Sequence, residues 1–306
     1  MRREKERRSA GRKPASLLLP SHLPLLPLDM SGTMNKNDIL LSRIADALER
    51  LAPPDAEPAD LAAHPAYHWD GKTLHSVARF APLPPGLIVG VDRQKADILT
   101  NSNRHALGHA AHDVLLWGAR GMGKSALVKS VIAALQADGL PLALVETTAD
   151  LLASLPALFI LLGKSDRRFI LFIDDMAFDG DEAGPRRLRS MLEGGAEARP
   201  ANVRLYVTSN RRNIVERNQA DEDVAVNARD VADDRLALAD RFGLKLGFQY
   251  PDQAAFLEMV AAYAVHFGLH WEESDALAFA HGRGGRSGRI AWQYIVELAG
   301  RAGRNL

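Results

Sequence analysis

The stretch that decides the fold is Val114-Leu115-Leu116-Trp117-Gly118-Ala119-Arg120-Gly121-Met122-Gly123-Lys124-Ser125. Four apolar residues predict a short buried strand, and helical periodicity begins at Lys124, so a glycine-rich loop connects a strand to a helix. The loop matches the pattern G-x-x-x-x-G-K-[ST], in which backbone N–H groups and the helix N-terminus face phosphate oxygens. The sequence therefore predicts that residues 118–125 bind phosphates, with Lys124 at the β- and γ-phosphates of a nucleotide and the Ser125 hydroxyl on Mg²⁺. The triplet Gly163-Lys164-Ser165 lacks the glycine five positions earlier and is not expected to bind phosphate.

Two acidic residues follow an apolar strand about 50 residues further along the chain. The run 169–173 leads directly into Asp174 and Asp175. A phosphate-binding loop needs a carboxylate on a neighbouring strand, so we expect Asp174 to hold magnesium and Asp175 to orient or deprotonate the attacking water.

A further strand, 203–207, ends in Thr208-Ser209-Asn210. Ligands bind open α/β sheets at the carboxyl ends of the strands, so the Asn210 amide is expected beside the γ-phosphate. A turn-capping role for Asn210 is the alternative.

The alternation of strand and helix patterns between residues 114 and 249 predicts an α/β fold with a parallel, five-stranded sheet. Strands are expected at 114–117, 142–145, 169–173, 203–208 and 245–249, and helices at 124–137, 151–162 and 185–193. After Pro251 three helical patterns follow, at 252–267, 274–281 and 287–301. The expected organisation is a disordered basic, Pro-rich tail (1–33), an N-terminal helix and connecting arm without placed strands (34–88), a nucleotide-binding domain (89–250) and a helical lid domain (251–306).

Composition excludes several classes of function. The 306 residues contain no cysteine, so there is no disulfide, thiolate metal site or cysteine nucleophile, and a cytoplasmic location is expected. The 38 basic and 38 acidic residues cancel, which argues against nucleic acid as a partner. The apolar stretches 16–28 and 151–163 are shorter than the roughly 20 residues that span a bilayer.

Two weaker patterns have ordinary explanations. His105, His109 and His112 are spaced closely enough for a zinc site, but packed or solvated histidines are the simpler interpretation. The acidic stretch 221–234 is compatible with either a partner-docking insertion or a solvated loop.

The order of these motifs is similar to that of AAA+ ATPases, and more closely resembles a bacterial family of P-loop ATP-binding proteins known as domain of unknown function 815. The resemblance covers roughly residues 35–306. The matching stretches are GVDRQK (90–95), LLWGARGMGKS (115–125), DDMAF (174–178), LEGG (192–195), TSNRR (208–212), DRFGL (240–244) and SGR (287–289).

The resemblance implies a P-loop NTPase (AAA+) three-layer sandwich followed by a small helical lid, with ATP and Mg²⁺ as ligands. It implies a sensor-1 role for Asn210, an arginine finger at Arg241 and a sensor-2 role for Arg289, with Gly90 and Val91 near the adenine. It also implies a homo-oligomer, with a hexameric ring as one form, that acts on a protein client. An intrachain salt bridge is the alternative for Arg241, and Arg283 and Arg286 compete with Arg289.

The chain departs from the commonest AAA+ pattern at one position. Most members carry Asp-Glu where this sequence has Asp174-Asp175, and the shorter second acid is expected to hold its water less well. ATP hydrolysis is the expected activity. A slow-turnover, nucleotide-gated binding switch and a DNA-handling loader or initiator are the alternatives.

Overall fold

The computed structural model describes residues 36–51, 59–176, 188–189, 191–192, 199–210 and 238–306. The chain divides into two units, 1–55 and 56–306. The first contains helix α1 (Lys36–Leu51), where the sequence predicts one. The predicted tail 1–33, most of the helix predicted at 185–193 and the acidic stretch 221–234 lie outside the described residues.

The second unit is built on a seven-stranded sheet. Its strands are β1 (Ala66–Trp69), β2 (Leu74–Ser76), β3 (Val114–Gly118), β4 (Leu142–Thr147), β5 (Arg168–Ile173), β6 (Val203–Ser209) and β7 (Leu244–Phe248). The strand order is β2-β1-β4-β5-β6-β3-β7, and every neighbouring pair is parallel except β1 with β2. The predicted parallel α/β sheet is confirmed, and each of its five strands lies within two residues of the expected bounds.

The expected number of strands was two short, because the arm supplies β1 and β2. β1 adds a parallel strand beside β4, and β2 turns back on β1. Tyr67 and Trp69 are buried while His68 between them is exposed. Four residues are too short a run for this alternation to stand out from a segment rich in Pro, Ala and His. Pairing with the neighbouring strand, a tertiary contact, makes this segment a strand.

Helices cover both faces of the sheet and form the segment after β7. They are α2 (Asp92–Ala106), α3 (Lys124–Ala137), α4 (Leu155–Leu162), α5 (Gln253–Phe267), α6 (Glu273–Gly282) and α7 (Gly288–Arg301), with 3-10 turns at Pro85–Leu87 and Ala149–Ser154. The helix predicted at 151–162 begins as the second 3-10 turn and becomes α-helical only at Leu155. Pro156 stands in the first α-helical turn, where its missing N–H costs nothing.

Two apolar clusters hold these layers together. β5 is central, and Phe169 to Ile173 are all buried, alternately in one cluster and the other. The first cluster also contains Phe256 of α5, Ala276 of α6 and Tyr294 of α7, so the three C-terminal helices share a core with one face of the sheet. No helix within the described ranges is long and apolar enough to cross a membrane.

Candidate nucleotide-binding site

The glycine-rich loop is shaped by close contact with the end of β7. Gly118 has a φ of 124°, and a Cβ built there would lie 2.0 Å from the Phe248 carbonyl oxygen. The Ala119 N–H donates to that same oxygen at 2.9 Å. Gly123 has a φ of 80°, and a Cβ there would meet no atom within 4 Å. The loop is therefore packed at its base and open towards the cleft.

Lys124 is held at the centre of this loop. Its side chain is only 5% exposed, and Nζ donates to the carbonyl oxygens of Gly118 (2.9 Å) and Ala119 (2.8 Å) and to Asn210 Oδ1 (3.0 Å). Burial lowers the pKa of Lys124 to about 8, and the nearby carboxylates of Asp174 and Asp175 partly oppose this shift. The ammonium is thus desolvated, and an arriving anion would stabilise its charged form.

Asp174 is fixed by three hydrogen-bond donors. Its Oδ1 accepts from Ser125 Oγ on α3 and from Thr208 Oγ1 on β6, each at 2.6 Å, and from the Asp175 N–H at 3.1 Å. The hydroxyl and carboxylate predicted to share a magnesium ion are therefore in direct contact. These hard oxygen donors suit Mg²⁺, which proteins usually hold through one or two carboxylates together with substrate phosphates.

Asp175 and Asn210 lie against each other at the carboxyl ends of β5 and β6. Asp175 is the only non-glycine residue with positive φ (51°) among the residues the structure describes. Its N–H donates to Thr208 Oγ1 at 2.8 Å, and its Oδ1 accepts from Asn210 Nδ2. Because Asn210 Oδ1 contacts Lys124, this amide bridges the predicted acid and the loop ammonium.

Thr208 is a site residue that the sequence prediction did not identify. Its side chain is 1% exposed, and one hydroxyl orders both acids by donating to Asp174 and accepting from the Asp175 N–H. A threonine within a strand is ordinarily a β-former. The sequence did not mark Thr208 as a site residue, because its role depends on the pairing of Val207 with Ile173, which brings Thr208 beside the acidic end of β5.

The opposite wall of the cleft is apolar. The cleft has a volume of about 350 Å³, and this wall is formed by the apolar residues that line it from the arm and the C-terminal helices: Leu83, Ile88, Val89, Met259, Tyr263 and Trp292. The rings of Tyr263 and Trp292 pack edge to face, with centroids 5.5 Å apart. Gly90 and Val91, predicted at the adenine, are not among the lining residues. Val91 is buried in the core instead, so the arm residues that line the cleft precede the predicted ones in the chain.

The predicted arginines separate in space. Arg289 lines the cleft, and its backbone N–H donates to the Gly121 carbonyl oxygen at 3.0 Å, which brings the first turn of α7 onto the loop. Ser287 caps this helix, since its side chain accepts from the Ile290 N–H. Arg120 lines a neighbouring cavity. Arg241 is exposed just before β7 and is not part of the cleft.

Of the remaining loop residues, Gly121, Met122, Gly123, Lys124 and Ser125 line the cleft. Gly118 and Ala119 support it from beneath through the contacts with Phe248.

The histidines do not form a zinc site in the part of the chain that is described, where no three potential metal ligands among His, Cys, Asp and Glu are grouped. His105 is instead 1% exposed, with Nε2 3.1 Å from the Phe169 carbonyl oxygen. Burial lowers the pKa of His105 to about 4, with a smaller contribution from Arg204. His105 is therefore packed, whereas His109 and His112 are exposed, so the packed and the solvated interpretations each apply to part of the group.

A parallel sheet with a phosphate-type loop between β3 and α3, paired acids after β5, a polar end to β6 and a helical segment after β7 defines the AAA+ class of the P-loop fold. Residues 62–302 match the family described as "Protein of unknown function (DUF815)", and the chain belongs to that family.

Solved structures share the fold at low sequence identity. The ORC1 protein of Aeropyrum pernix, solved in complex with DNA, is 16% identical with a TM-score of 0.53, covering 71% of this chain and 62% of that one. A proline-to-glycine mutant of RuvB from Thermotoga maritima is 18% identical with a TM-score of 0.50, covering 72% and 69%. PCH-2 of C. elegans is 14% identical with a TM-score of 0.48, covering 74% and 71%. No curated protein sequence matches the chain.

Proposed function

We propose that this protein is an AAA+ ATPase that binds ATP with Mg²⁺ in the cleft and hydrolyses it to ADP and phosphate. One observation carries the proposal. The Lys124 ammonium donates to Asn210, which in turn donates to Asp175, and the Ser125 hydroxyl donates directly to Asp174. These groups therefore converge at the carboxyl ends of parallel strands.

Phosphate binding falls to the loop and to Lys124. The left-handed glycines aim the loop backbone into the cleft, and the N-terminus of α3 adds its partial positive charge. Lys124 would exchange its contacts with the two carbonyl oxygens for phosphate oxygens. Its desolvation makes that exchange favourable, since a buried ammonium gains more from an anion than a solvated one does.

Ser125 and Asp174 would hold the metal. A Mg²⁺ ion held by these two residues would neutralise charge on the phosphates. Thr208 keeps the Asp174 carboxylate turned towards Ser125, so the donor pair is in place beforehand.

Asp175 would act on the attacking water. Its carboxylate lies beside Asn210, so the amide would orient the terminal phosphate while Asp175 accepts the water proton. Arg289 would add positive charge from the C-terminal helices, and its backbone contact with Gly121 links helix movement to the phosphate loop.

The adenine is assigned to the apolar wall formed by the arm and by Met259, Tyr263 and Trp292. We further propose a homo-oligomer, with a hexameric ring as one form, in which Arg241 reaches a neighbouring subunit's nucleotide. The exposed position of Arg241 outside its own cleft supports this role. A protein client and a cytoplasmic location complete the proposal.

A slow-turnover switch is the second candidate, and the contact between Asp175 and Asn210 favours it. The carboxylate must leave that amide, or share it, before it can hold a water. Since Asp175 is also one methylene shorter than glutamate, an ATP-bound state would then persist and gate partner binding.

The test is Mg²⁺-dependent binding of a fluorescent ATP analogue to the purified full chain, followed by polarisation in the presence of MgCl₂ or EDTA. Lys124→Ala should weaken binding by about tenfold to a hundredfold, because hydrogen bonds to a charged group contribute roughly 1.5–3 kcal/mol. Lys164→Ala is the matched control, because Lys164 lies in a second Gly-Lys-Ser triplet (163–165) outside the loop and is exposed. Absence of Mg²⁺-dependent binding, or equal binding by Lys124→Ala, would refute the proposal.

A further inference from the structure

A second, larger cavity adjoins the nucleotide cleft. It has a volume of about 1190 Å³ and shares Gly121 and Arg289 with the cleft. Its other walls include Arg120 in the loop, Tyr250 and Pro251 after β7, and residues 283–287 between α6 and α7. The proposed nucleotide site makes no use of this volume.

The cavity is lined by charge of a single sign. Four exposed guanidinium groups face it: Arg120, Arg283, Arg286 and Arg289. None of its described lining residues is Asp or Glu. This concentration is unusual in a chain whose acidic and basic residues are equal in number.

These charges are not neutralised by described neighbours. Arg283 stacks on the Phe279 ring, with Cζ 4.7 Å from its centroid, and donates to Gln293 Oε1 at 3.3 Å. Both partners are uncharged. Within the described ranges no carboxylate lies within 4.0 Å of any of the four guanidinium groups. Clustered like charges raise the local positive potential, which an anion would relieve.

The loop between α6 and α7 leaves room for such an anion. Gly284 and Gly285 separate Arg283 from Arg286 and have φ values of 80° and 155°. A Cβ built on either glycine would meet no atom within 4 Å. The backbone here is open to close approach by a ligand, which is a common use of glycine.

We propose that this cavity binds a small oligophosphate, a molecule with at least two phosphate groups, separately from the nucleotide. Guanidinium forks bind phosphate oxygens in pairs. A phosphate monoester carries about −1.5 to −2 charges at pH 7, so two such groups approach the charge of four arginines, whereas two carboxylates do not. None of the described residues that line the cavity is a carboxylate that could hold a metal, so we expect this binding to occur without Mg²⁺.

A small anion fits better than a nucleic acid strand. Nucleic-acid-binding proteins carry basic patches or stripes along a surface, commonly with a basic overall charge. Here the arginines converge on one cavity, and the chain has no net charge.

The experiment separates the two sites by variant. Arg283 and Arg286 line only the second cavity, while Lys124 lines only the first. Binding of inorganic tripolyphosphate is measured by calorimetry on full-length Lys124→Ala protein in EDTA. We expect binding to persist in that variant and to weaken at least tenfold when Arg283→Gln and Arg286→Gln are added.

The matched control adds Arg79→Gln and Arg104→Gln instead, which remove the same charge from exposed positions outside both cavities. These changes should leave binding unaltered. Arg286→Gln alone should also weaken binding. Thermal melting identifies any variant that fails to fold.

Three outcomes would overturn the proposal. Loss of binding through Lys124→Ala alone would mean that tripolyphosphate occupies only the nucleotide loop. Equal binding with and without Arg283 and Arg286 would remove the cavity as the site. Tighter binding of orthophosphate, a 12-nucleotide single strand or polyglutamate, with the same dependence on these arginines, would identify a different ligand class. Because Lys124→Ala is present throughout, the result stands whether or not the ATPase proposal holds.

Discussion

Two cavities meet at Gly121 and Arg289, and they differ in charge and in lining. The nucleotide cleft combines Lys124 and Arg289 with Asp174, Asp175 and an apolar wall. The second cavity has four arginines and, among its described residues, no acid. This difference is the basis for proposing a different anion for each cavity. The paired acids and the apolar wall suit the first site to a nucleotide whose phosphates carry a metal ion. The absence of acids among the described residues of the second cavity suits it to an anion without a metal.

The largest expected effect comes from removing an acid from the first cleft. Asp175→Asn should lower kcat for phosphate release by about 1000-fold, the middle of the range for a lost general base. Asparagine tolerates positive φ better than most residues, so the backbone at 51° is retained and the change isolates the charge.

ATP affinity of Asp175→Asn should remain, and Asp138→Asn, at the exposed end of α3, should behave as the unmodified protein. The check is steady-state phosphate release at saturating Mg-ATP. Equal rates for Asp175→Asn and the parent would show that another group activates the water.

The next prediction compares the loss of stability when alanine replaces a tightly packed glycine, Gly118, and an open one, Gly284. Gly118→Ala should lower the free energy of unfolding by about 3 kcal/mol or more, because its Cβ would collide with the Phe248 carbonyl oxygen. Gly284→Ala, in the second cavity, carries a similar left-handed penalty without a collision and should cost about 1–2 kcal/mol. Urea unfolding of both variants measures the difference, and equal losses would contradict the packing described at β7.

The third prediction concerns the loss of stability at acidic pH, which we assign to His105, a buried residue outside both cavities. The folded-state pKa of His105, about 4, is below its ordinary value of 6.5, so the unfolded chain binds more protons between these values. Stability is therefore fully present above pH 6.5 and should fall by roughly 3 kcal/mol as the pH drops towards 4.

His105→Gln should flatten this part of the profile of unfolding free energy against pH. His281→Gln, in the wall of the second cavity, should leave the slope intact. A steep acid slope that survives in His105→Gln would assign it to another group.

The smallest effect concerns how the acids are positioned. Thr208→Val removes the hydroxyl that orders Asp174 and Asp175, and should raise the Mg²⁺ concentration for half-maximal ATP binding about tenfold, equivalent to about 1.4 kcal/mol. Thr208→Ser keeps the hydroxyl and should restore the parent value. Magnesium titrations of ATP-analogue binding make the measurement. A serine variant as impaired as the valine one would indicate a packing role.

Much of the architecture was readable from local patterns. The loop 118–125, the strand before it and the helix after it were predicted together, because glycine spacing and apolar periodicity are local properties. The acidic end of β5 and the polar end of β6 were predicted from the same pattern of apolar runs that end in polar residues. The functional roles assigned to these residues stay predictions.

The features that the sequence did not predict share a physical cause, because all of them depend on contacts between distant parts of the chain. β1 and β2 form because the arm pairs with β4, and nothing within the segment's own sequence signals that pairing. The residues lining the apolar wall depend on how the arm passes the C-terminal helices, so Ile88 and Val89 occupy the position expected for Gly90 and Val91. Thr208 became a site residue only through its neighbours on β5 and α3.

The sequence alone determined which side chains are available for phosphate and metal, and the order of strands and helices that carries them, since both depend on neighbouring residues. Tertiary structure alone decided that Asn210 lies between Lys124 and Asp175, and that four arginines from the loop and the α6–α7 segment face one cavity. Those arrangements join positions up to about 170 residues apart, and only strand pairing and helix packing bring such positions together.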